Sequence, residues 1–236
     1  MYHEQAALYD RFYAFKDYDA EAARVRELVV AGGGPGGGAL LDAACGTGGH
    51  VGAFRAFYTV EGLDLAEPML AVAREKHPDV PFHAGDLRSF DLGRRFDVVT
   101  CLFSSIGYMR TEDDLRAAAA NFARHLRPGG ALVVEPWMTP DVFRPGNLDL
   151  LTLDEPALKA ARMARSRVEP GPVPLSVIDY HFLVGHEGEI RHTVETETMG
   201  LFTRAQMEAA LEAAGVRAEH QAEGLMGRGL YVGVAA

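Results

Sequence analysis

The 236-residue sequence contains only two cysteines and one tryptophan. Cys45 and Cys101 form neither a closely spaced metal-binding pair nor a disulfide framework. Both lie in apolar runs, where a free thiol packs as a small hydrophobe. Long hydrophobic runs are also missing. No stretch approaches the roughly 18 apolar residues that would cross a bilayer. The N-terminus, MYHEQAALYDRFY, carries acids from its fourth residue and lacks the apolar core of a signal peptide. A cytoplasmic protein is expected. Positive charge is in deficit: 23 Lys and Arg face 33 Asp and Glu, for a net charge of −10. The basic residues are scattered among acids, which disfavours nucleic acid as a partner. The histidines at 77, 83, 181, 186 and 192 follow no trusted ligand spacing, so no metal is expected.

What is present is material for a core. Apolar residues make up 48% of the chain, enough for one elaborated α/β domain. Helical spacing over 18–30 ends in the glycine run 32–38, broken by Pro35. A buried strand, ALLDA, then enters a glycine turn. A helix over 50–57, the strand TVEGLDL and the helix MLAVAREKH follow, the last with Pro68 in its first turn. VPFHAGD and RRFDVVTCLF read as the third and fourth strands. A helix over about 111–125, a turn at RPGG and a fifth strand, ALVVEPW, come next. This alternation implies right-handed crossovers and a doubly wound, Rossmann-like parallel sheet.

The rhythm breaks after the fifth strand. Residues 139–175 are proline-rich and show no clear period. LSVIDYHFLV and IRHTVETETMGLF read as an antiparallel pair. A helix from Thr203 and two closing strands complete the chain. The expected organisation is a single domain, 1–236, with an N-terminal helical cap over 1–30. An antiparallel insertion over 139–200 would cover one end of the sheet.

The segment DAACGTGG, residues 42–49, carries the chemistry. Gly46 and Gly48 let the backbone approach a ligand, and the next helix offers free N–H groups. A dinucleotide fingerprint needs a third glycine five residues after the first, where Val51 stands. An acid, Asp42, ends the strand ahead of the turn. It suits a cofactor bearing an ammonium and a sulfonium better than a pyrophosphate. S-adenosylmethionine is therefore expected, with S-adenosylhomocysteine as product. Asp64 ends the second strand, where a carboxylate can accept from both ribose hydroxyls. Asp86 ends the third, within reach of an adenine amino group. Met69, Leu87 and Phe103 are placed to sandwich the adenine.

LDAACGTG, EGLDL, GDLRSF, FDVVTCLFSSIGY and LRPGGALVVEPW resemble the class I methyltransferases. Within them the chain is most similar to the nucleotide-sugar N,N-dimethyltransferases of the desosamine and mycaminose type. LYD, Lys16-Asp17-Tyr18, FSSIGY, VEPW, LFT and GRGLYVGV carry that similarity over nearly the whole length. The resemblance implies a class I methyltransferase fold and N-methylation of a nucleotide-linked deoxy amino sugar, in antibiotic biosynthesis. It further implies cofactor binding by Tyr9, Tyr18, Asp42, Ala44, Gly46, Thr47, Gly48, Asp64, Leu65, Met69, Asp86, Leu87 and Phe103. Tyr2 and Tyr108 would lie beside the acceptor amine and position it. Trp137 and Arg228 would contact the acceptor, the arginine at its diphosphate. Relatives also suggest a homodimer.

Departures from the family pattern cluster around the acceptor. Where many relatives read VEPWWFP, this chain has Glu135-Pro136-Trp137-Met138-Thr139-Pro140. A histidine of the insertion appears as Glu197. Two alternatives therefore stand beside the amino-sugar reading. One is methylation of another small-metabolite amine or hydroxyl, and the other is a non-catalytic binder of the nucleoside.

Overall fold

A computed structural model describes residues 3–186 and 188–235. Helix α1 (His3–Phe12) buries Leu8 and Phe12, one turn apart on one face. Helix α2 (Tyr18–Ala31) starts at Asp17, whose Oδ1 accepts the Ala20 N–H at 2.9 Å. It buries Ala22, Val25 and Val29 at helical spacing. Strand β1 (Ala39–Ala43) leads to α3 (Gly49–Phe54), β2 (Thr59–Asp64), α4 (Glu67–Lys76) and β3 (Phe82–Ala84). Strand β4 (Phe96–Cys101) is followed by a 3-10 turn (Ser105–Tyr108), α5 (Glu112–Arg124) and β5 (Leu126–Val134). Strands β6 (Leu148–Asp154), β7 (Leu158–Glu169), β8 (Leu175–His186) and β9 (Glu189–Gly200) come next. Helix α6 (Arg204–Ala213), β10 (Val216–Gln221) and β11 (Leu230–Ala235) close the chain.

The larger sheet has seven strands in the order β3-β2-β1-β4-β5-β11-β10. β1 to β5 run parallel, whereas β11 is antiparallel to β5 and β10 to β11. Strand order reverses between β1 and β4, the switch point where ligands of open α/β sheets bind. Helices α5 and α6 pack on one face through Leu115, Phe122, Met207 and Leu211. Helices α2, α3 and α4 cover the other through Val25, Val29, Phe54 and Leu70. The sheet is doubly wound, as the alternation of elements implies.

The second sheet, β6-β7-β8-β9, is antiparallel throughout. Phe182, Leu158 and Ala160 pack against Leu8 and Phe12 of α1. Ala164, Ile178 and Met199 pack with Trp137, which follows β5. This sheet and α1 thus close over the carboxyl ends of the parallel strands.

The stretch 139–175, which shows no clear period in the sequence, contains β6 and β7. Strand β7 does alternate in burial, but its inward positions are Ala160, Arg162 and Ala164 and its outward ones include Met163. Hydropathy therefore does not follow the pleat. Two sequence readings need correction. Arg-Pro-Gly-Gly is not a turn ahead of β5. It lies within the strand, where pairing with β4 jumps from Phe96–Leu126 to Val98–Ala131. The helix expected over 50–57 stops at Phe54.

Candidate active site

The turn after β1 is built from backbone that few residue types accept. Gly46 has φ +54°, in the left-handed region, and Ala44 has φ +62°. The Gly46 N–H donates to Asp64 Oδ2 at 2.8 Å, and the Ala66 N–H donates to Oδ1 at 2.8 Å. The end of β2 therefore holds the glycine turn in place. Asp42 is almost fully enclosed and accepts from Thr100 Oγ1 at 2.8 Å. Burial pushes its carboxyl up to about 6, against the lowering influence of His50 and the Thr100 hydrogen bond. Burial raises Asp64 as well, opposed by its backbone donors.

Aromatic rings roof this turn. Tyr18 lies so close over Gly49 that a Cβ there would be 2.6 Å from the ring. Tyr18 also meets His50 edge-on at 4.8 Å between ring centres. Tyr9 packs on Tyr13 at 4.6 Å, and Tyr13 meets Phe103 edge-on at 5.0 Å. Lys16 Nζ stands 4.2 Å over the Phe103 ring and pairs with Glu21 at 2.7 Å. Thr47 Oγ1 donates to Asp10 Oδ1 at 2.5 Å, tying the turn to α1.

After β4, Phe103 and Ser104 both adopt positive φ, +51° and +64°. Such strain costs on the order of 1–3 kcal/mol per residue and needs support. The fully buried Glu135 accepts the Phe103 N–H at 2.7 Å through Oε2. Ser104 Oγ donates to the Pro136 carbonyl at 2.8 Å, and Arg228 Nη1 donates to Ser104 Oγ at 3.1 Å. The Arg228 guanidinium stands 4.9 Å from the Trp137 ring centre, and Trp137 Nε1 donates to Ser176 Oγ at 2.9 Å.

One cavity of about 1130 Å³ joins these groups to the inner face of the four-stranded sheet. Tyr9, Tyr18, Asp42, Ala44, Gly46, Thr47, Asp64, Leu65, Met69, Asp86, Leu87 and Phe103 all line it. Tyr108, Trp137 and Arg228 line it too. Gly48 does not, and instead packs against α4, where its carbonyl lies 3.0 Å from His77 Nε2. Tyr2 lies outside the described residues. Asp86 is engaged by Arg88, whose Nε and Nη2 donate to it at 2.9 and 2.5 Å. That pairing holds its carboxyl below the usual range. Among the described residues, no group of three or more His, Cys, Asp or Glu is placed to hold a metal ion.

Arg162 and Glu195 line the cavity without a signal in the sequence, whereas Glu197 stood out there only as a departure from the family pattern. Arg162 of β7 lies within 6 Å of the rings of Phe12, Tyr13 and Tyr180. Its Nη1 donates to the Tyr13 hydroxyl at 2.7 Å and its Nη2 pairs with Asp149 at 3.2 Å, but Nε has no partner among the described residues. Glu195 and Glu197 of β9 also line the cavity. Glu197 faces the same cavity as Tyr108, whose 3-10 turn packs against β9.

A doubly wound sheet with acids at the ends of β1, β2 and β3 around a glycine turn is the cofactor edge of a class I S-adenosylmethionine-dependent methyltransferase. A family model described as "Methyltransferase domain" matches residues 40–130. More particularly, the chain belongs to the dTDP-amino-sugar N,N-dimethyltransferases. It is 43% identical to dTDP-3-amino-3,4,6-trideoxy-alpha-D-glucopyranose N,N-dimethyltransferase of Streptomyces venezuelae, covering 99% of this chain and 98% of that one. It is 42% identical to dTDP-4-amino-2,3,4,6-tetradeoxy-D-glucose N,N-dimethyltransferase of Saccharopolyspora spinosa, over 98% of this chain and 92% of the relative. The crystal structure of Streptomyces venezuelae DesVI superposes with a TM-score of 0.91 at 42% identity, over 98% of each chain. SAM-bound CalS10, an amino pentose methyltransferase of Micromonospora echinaspora, gives 0.86 at 38% identity, over 100% of this chain and 98% of that one.

Proposed function

We propose that this enzyme methylates the amino group of a dTDP-linked deoxy amino sugar, in the cytoplasm. The observation carrying this reading is that one cavity joins an acidic, glycine-turned cofactor edge to a second wall bearing Tyr108, Trp137 and Arg228. Full-length relatives at 42–43% identity act on amino sugars of this class.

The donor set fits S-adenosylmethionine. Asp42 faces the cavity, and among the described residues it is bonded by the Thr100 hydroxyl and by no cation, so its buried charge calls for one. Asp64 keeps lone pairs for the ribose beyond its two backbone donors. Met69 and Leu87 offer apolar surface for the adenine, with Asp86 and Leu65 at the rim. Tyr9 and Tyr18 cover the methionine end, with Ala44, Gly46 and Thr47 beneath it; Phe103, expected against the adenine, instead packs on Tyr13 and under Lys16 and falls at this end. When bound, the cofactor supplies a methyl carbon activated by sulfonium.

The protein's own task is then alignment and exclusion of water. Tyr108, with Tyr2, would hold the amine in line. Arg228 hydrogen-bonds a neutral hydroxyl, which leaves its charge available to a diphosphate. The acceptor would lie between Trp137 and the inner face of the four-stranded sheet, which acts as an insertion of one domain.

The outer face of that sheet supports a homodimer. Leu150, Met163, His181 and Val194 stand in register across all four strands. Leu150, Met163 and Val194 are each about half exposed. A self-complementary patch of this kind fits a two-fold interface.

Calorimetry of S-adenosylhomocysteine with and without dTDP tests the acceptor reading. Tighter binding of either ligand in the presence of the other supports it. Nucleoside binding with no dTDP binding at all contradicts it.

A further inference from the structure

Deprotonation of the acceptor amine needs a residue that the cofactor edge does not supply. An alkyl amine is protonated near neutral pH and cannot attack carbon until it loses a proton, and the hydroxyl of Tyr108 is a poor base for that purpose. Tyr108 is half exposed, but its hydroxyl is raised above its ordinary value by desolvation and by the nearby Glu197, so it stays neutral.

The geometry points to Glu197 as the group that receives the acceptor ammonium and takes its proton. This inference rests on the amino-sugar reading above. The cofactor's cation belongs at Asp42, on the carboxyl edge of the parallel sheet. The amine must then approach from the opposite wall, which is the inner face of β7, β8 and β9. Pleating places Glu195, Glu197 and Met199 on that face. Ile178 is the register partner of Glu197 on β8, and Tyr180 that of Glu195.

Glu197 lines the cavity together with Tyr108, because β9 packs on the 3-10 turn that carries Tyr108, in the loop that leaves β4 beside Phe103. The pair thus links the acceptor wall to the cofactor edge. The groups facing Glu197 are few. Tyr108 comes from the 3-10 turn, Tyr9 from α1, Arg162 from β7, Tyr180 from β8 and Glu195 from β9. Arg162 is the one described cation acting on it, and that guanidinium is already held by Tyr13 and Asp149. Burial lifts the Glu197 carboxyl above its ordinary value, with Glu195 adding to the effect. A carboxylate so placed is short of positive charge and more basic than one in water.

In the step itself, an N–H bond of the bound ammonium breaks and an O–H bond forms on Glu197. The electron pair stays on nitrogen, which becomes the nucleophile. The carboxyl returns its proton to solvent before the next turnover, so a monomethyl product can be deprotonated in the same way.

Glu197→Gln keeps the shape of the side chain but cannot take the proton, whereas Glu197→His can. With the dTDP-amino sugar that the wild type methylates, the Gln variant should lose about 100-fold in kcat near neutral pH. Its rate should then climb with pH along the substrate amine's own ionisation. The His variant should stay within about tenfold of wild type, with its acid limb moved toward the imidazole range near 6.5. S-adenosylhomocysteine affinity, read by calorimetry, should be unchanged in both, which shows an intact fold. Proton uptake or release on acceptor binding, measured in two buffers of different ionisation heat, should differ between wild type and the Gln variant. An active wild type whose Gln variant keeps the same rate and pH profile overturns this inference alone. A wild type that methylates no dTDP-amino sugar overturns the acceptor reading with it.

Discussion

The backbone N–H of Gly46 donates to Asp64 Oδ2 at 2.8 Å, so the turn that follows β1 is held by the side chain that ends β2. The other Asp64 oxygen accepts from Ala66 at 2.8 Å. Cofactor binding therefore starts from a carboxylate whose orientation is already fixed by the protein.

Asp64→Asn should loosen that turn. Its amide places a donor against one of the two N–H groups. Loss of one charge-assisted hydrogen bond costs about 2 kcal/mol, which corresponds to a roughly 30-fold rise in the Kd for S-adenosylhomocysteine. Calorimetry measures it. A Kd within twofold of wild type would show that the turn holds without Asp64.

Asp42 makes cofactor affinity pH-dependent. Its carboxyl titrates near 6 in the ligand-free protein because it is buried. A cationic ligand favours the ionised form, so affinity should fall as pH drops through 6, to about tenfold weaker at pH 5 than at pH 7. Stability follows the opposite sign. The folded value lies above the unfolded one, so this group favours folding at acid pH and loses that contribution as pH rises toward 6. Asp42→Asn should raise the Tm of the ligand-free protein at pH 7.5 while weakening binding and flattening its pH dependence. A flat binding profile in the wild type would contradict the placement of the cation at Asp42.

Gly49 and Tyr18 should be coupled. A methyl at position 49 would collide with the Tyr18 ring, at 2.6 to 3.0 Å from three of its carbons. Gly49→Ala should leave the protein folded but displace the ring, raising the S-adenosylhomocysteine Kd by about tenfold. In a Tyr18→Ala background the same change should add little, because the collision is gone. Additive effects in the double-mutant cycle would mean that Tyr18 does not cover the methionine end.

The outer face of β6 to β9 should carry the dimer. Val194→Glu places a charge in the Leu150–Met163–His181–Val194 row. Sedimentation should show wild-type dimer and variant monomer, with unchanged nucleoside affinity. A monomeric wild type would refute the interface.

The legible parts of this protein were those in which chemistry and hydropathy agree. Asp42, Gly46 and Asp64 are read together because short apolar strands end on them, and the parallel topology brings those ends to one edge. Strand β7 was hidden for the opposite reason. Its inward residues, Ala160, Arg162 and Ala164, are no more apolar than the outward Met163, since Arg162 faces a cavity lined with aromatic rings and not a dry core. Glu135 could be seen only as the end of a strand. Its work, holding the strained Phe103 backbone, depends on a loop 32 residues earlier in the chain. Gly48 shows how a motif can overstate its reach, because it shares the glycine turn yet packs on His77.

Methyl transfer to a nucleotide-linked amine is the reaction that defines this enzyme's proposed role. It is tested most directly by incubating the protein with S-adenosylmethionine and dTDP-linked 3-amino and 4-amino deoxyhexoses, followed by mass spectrometry. Gains of one and then two methyl groups on at least one of them are expected, with matching formation of S-adenosylhomocysteine. No mass gain on any dTDP-amino sugar, from protein that binds S-adenosylhomocysteine normally, would contradict it.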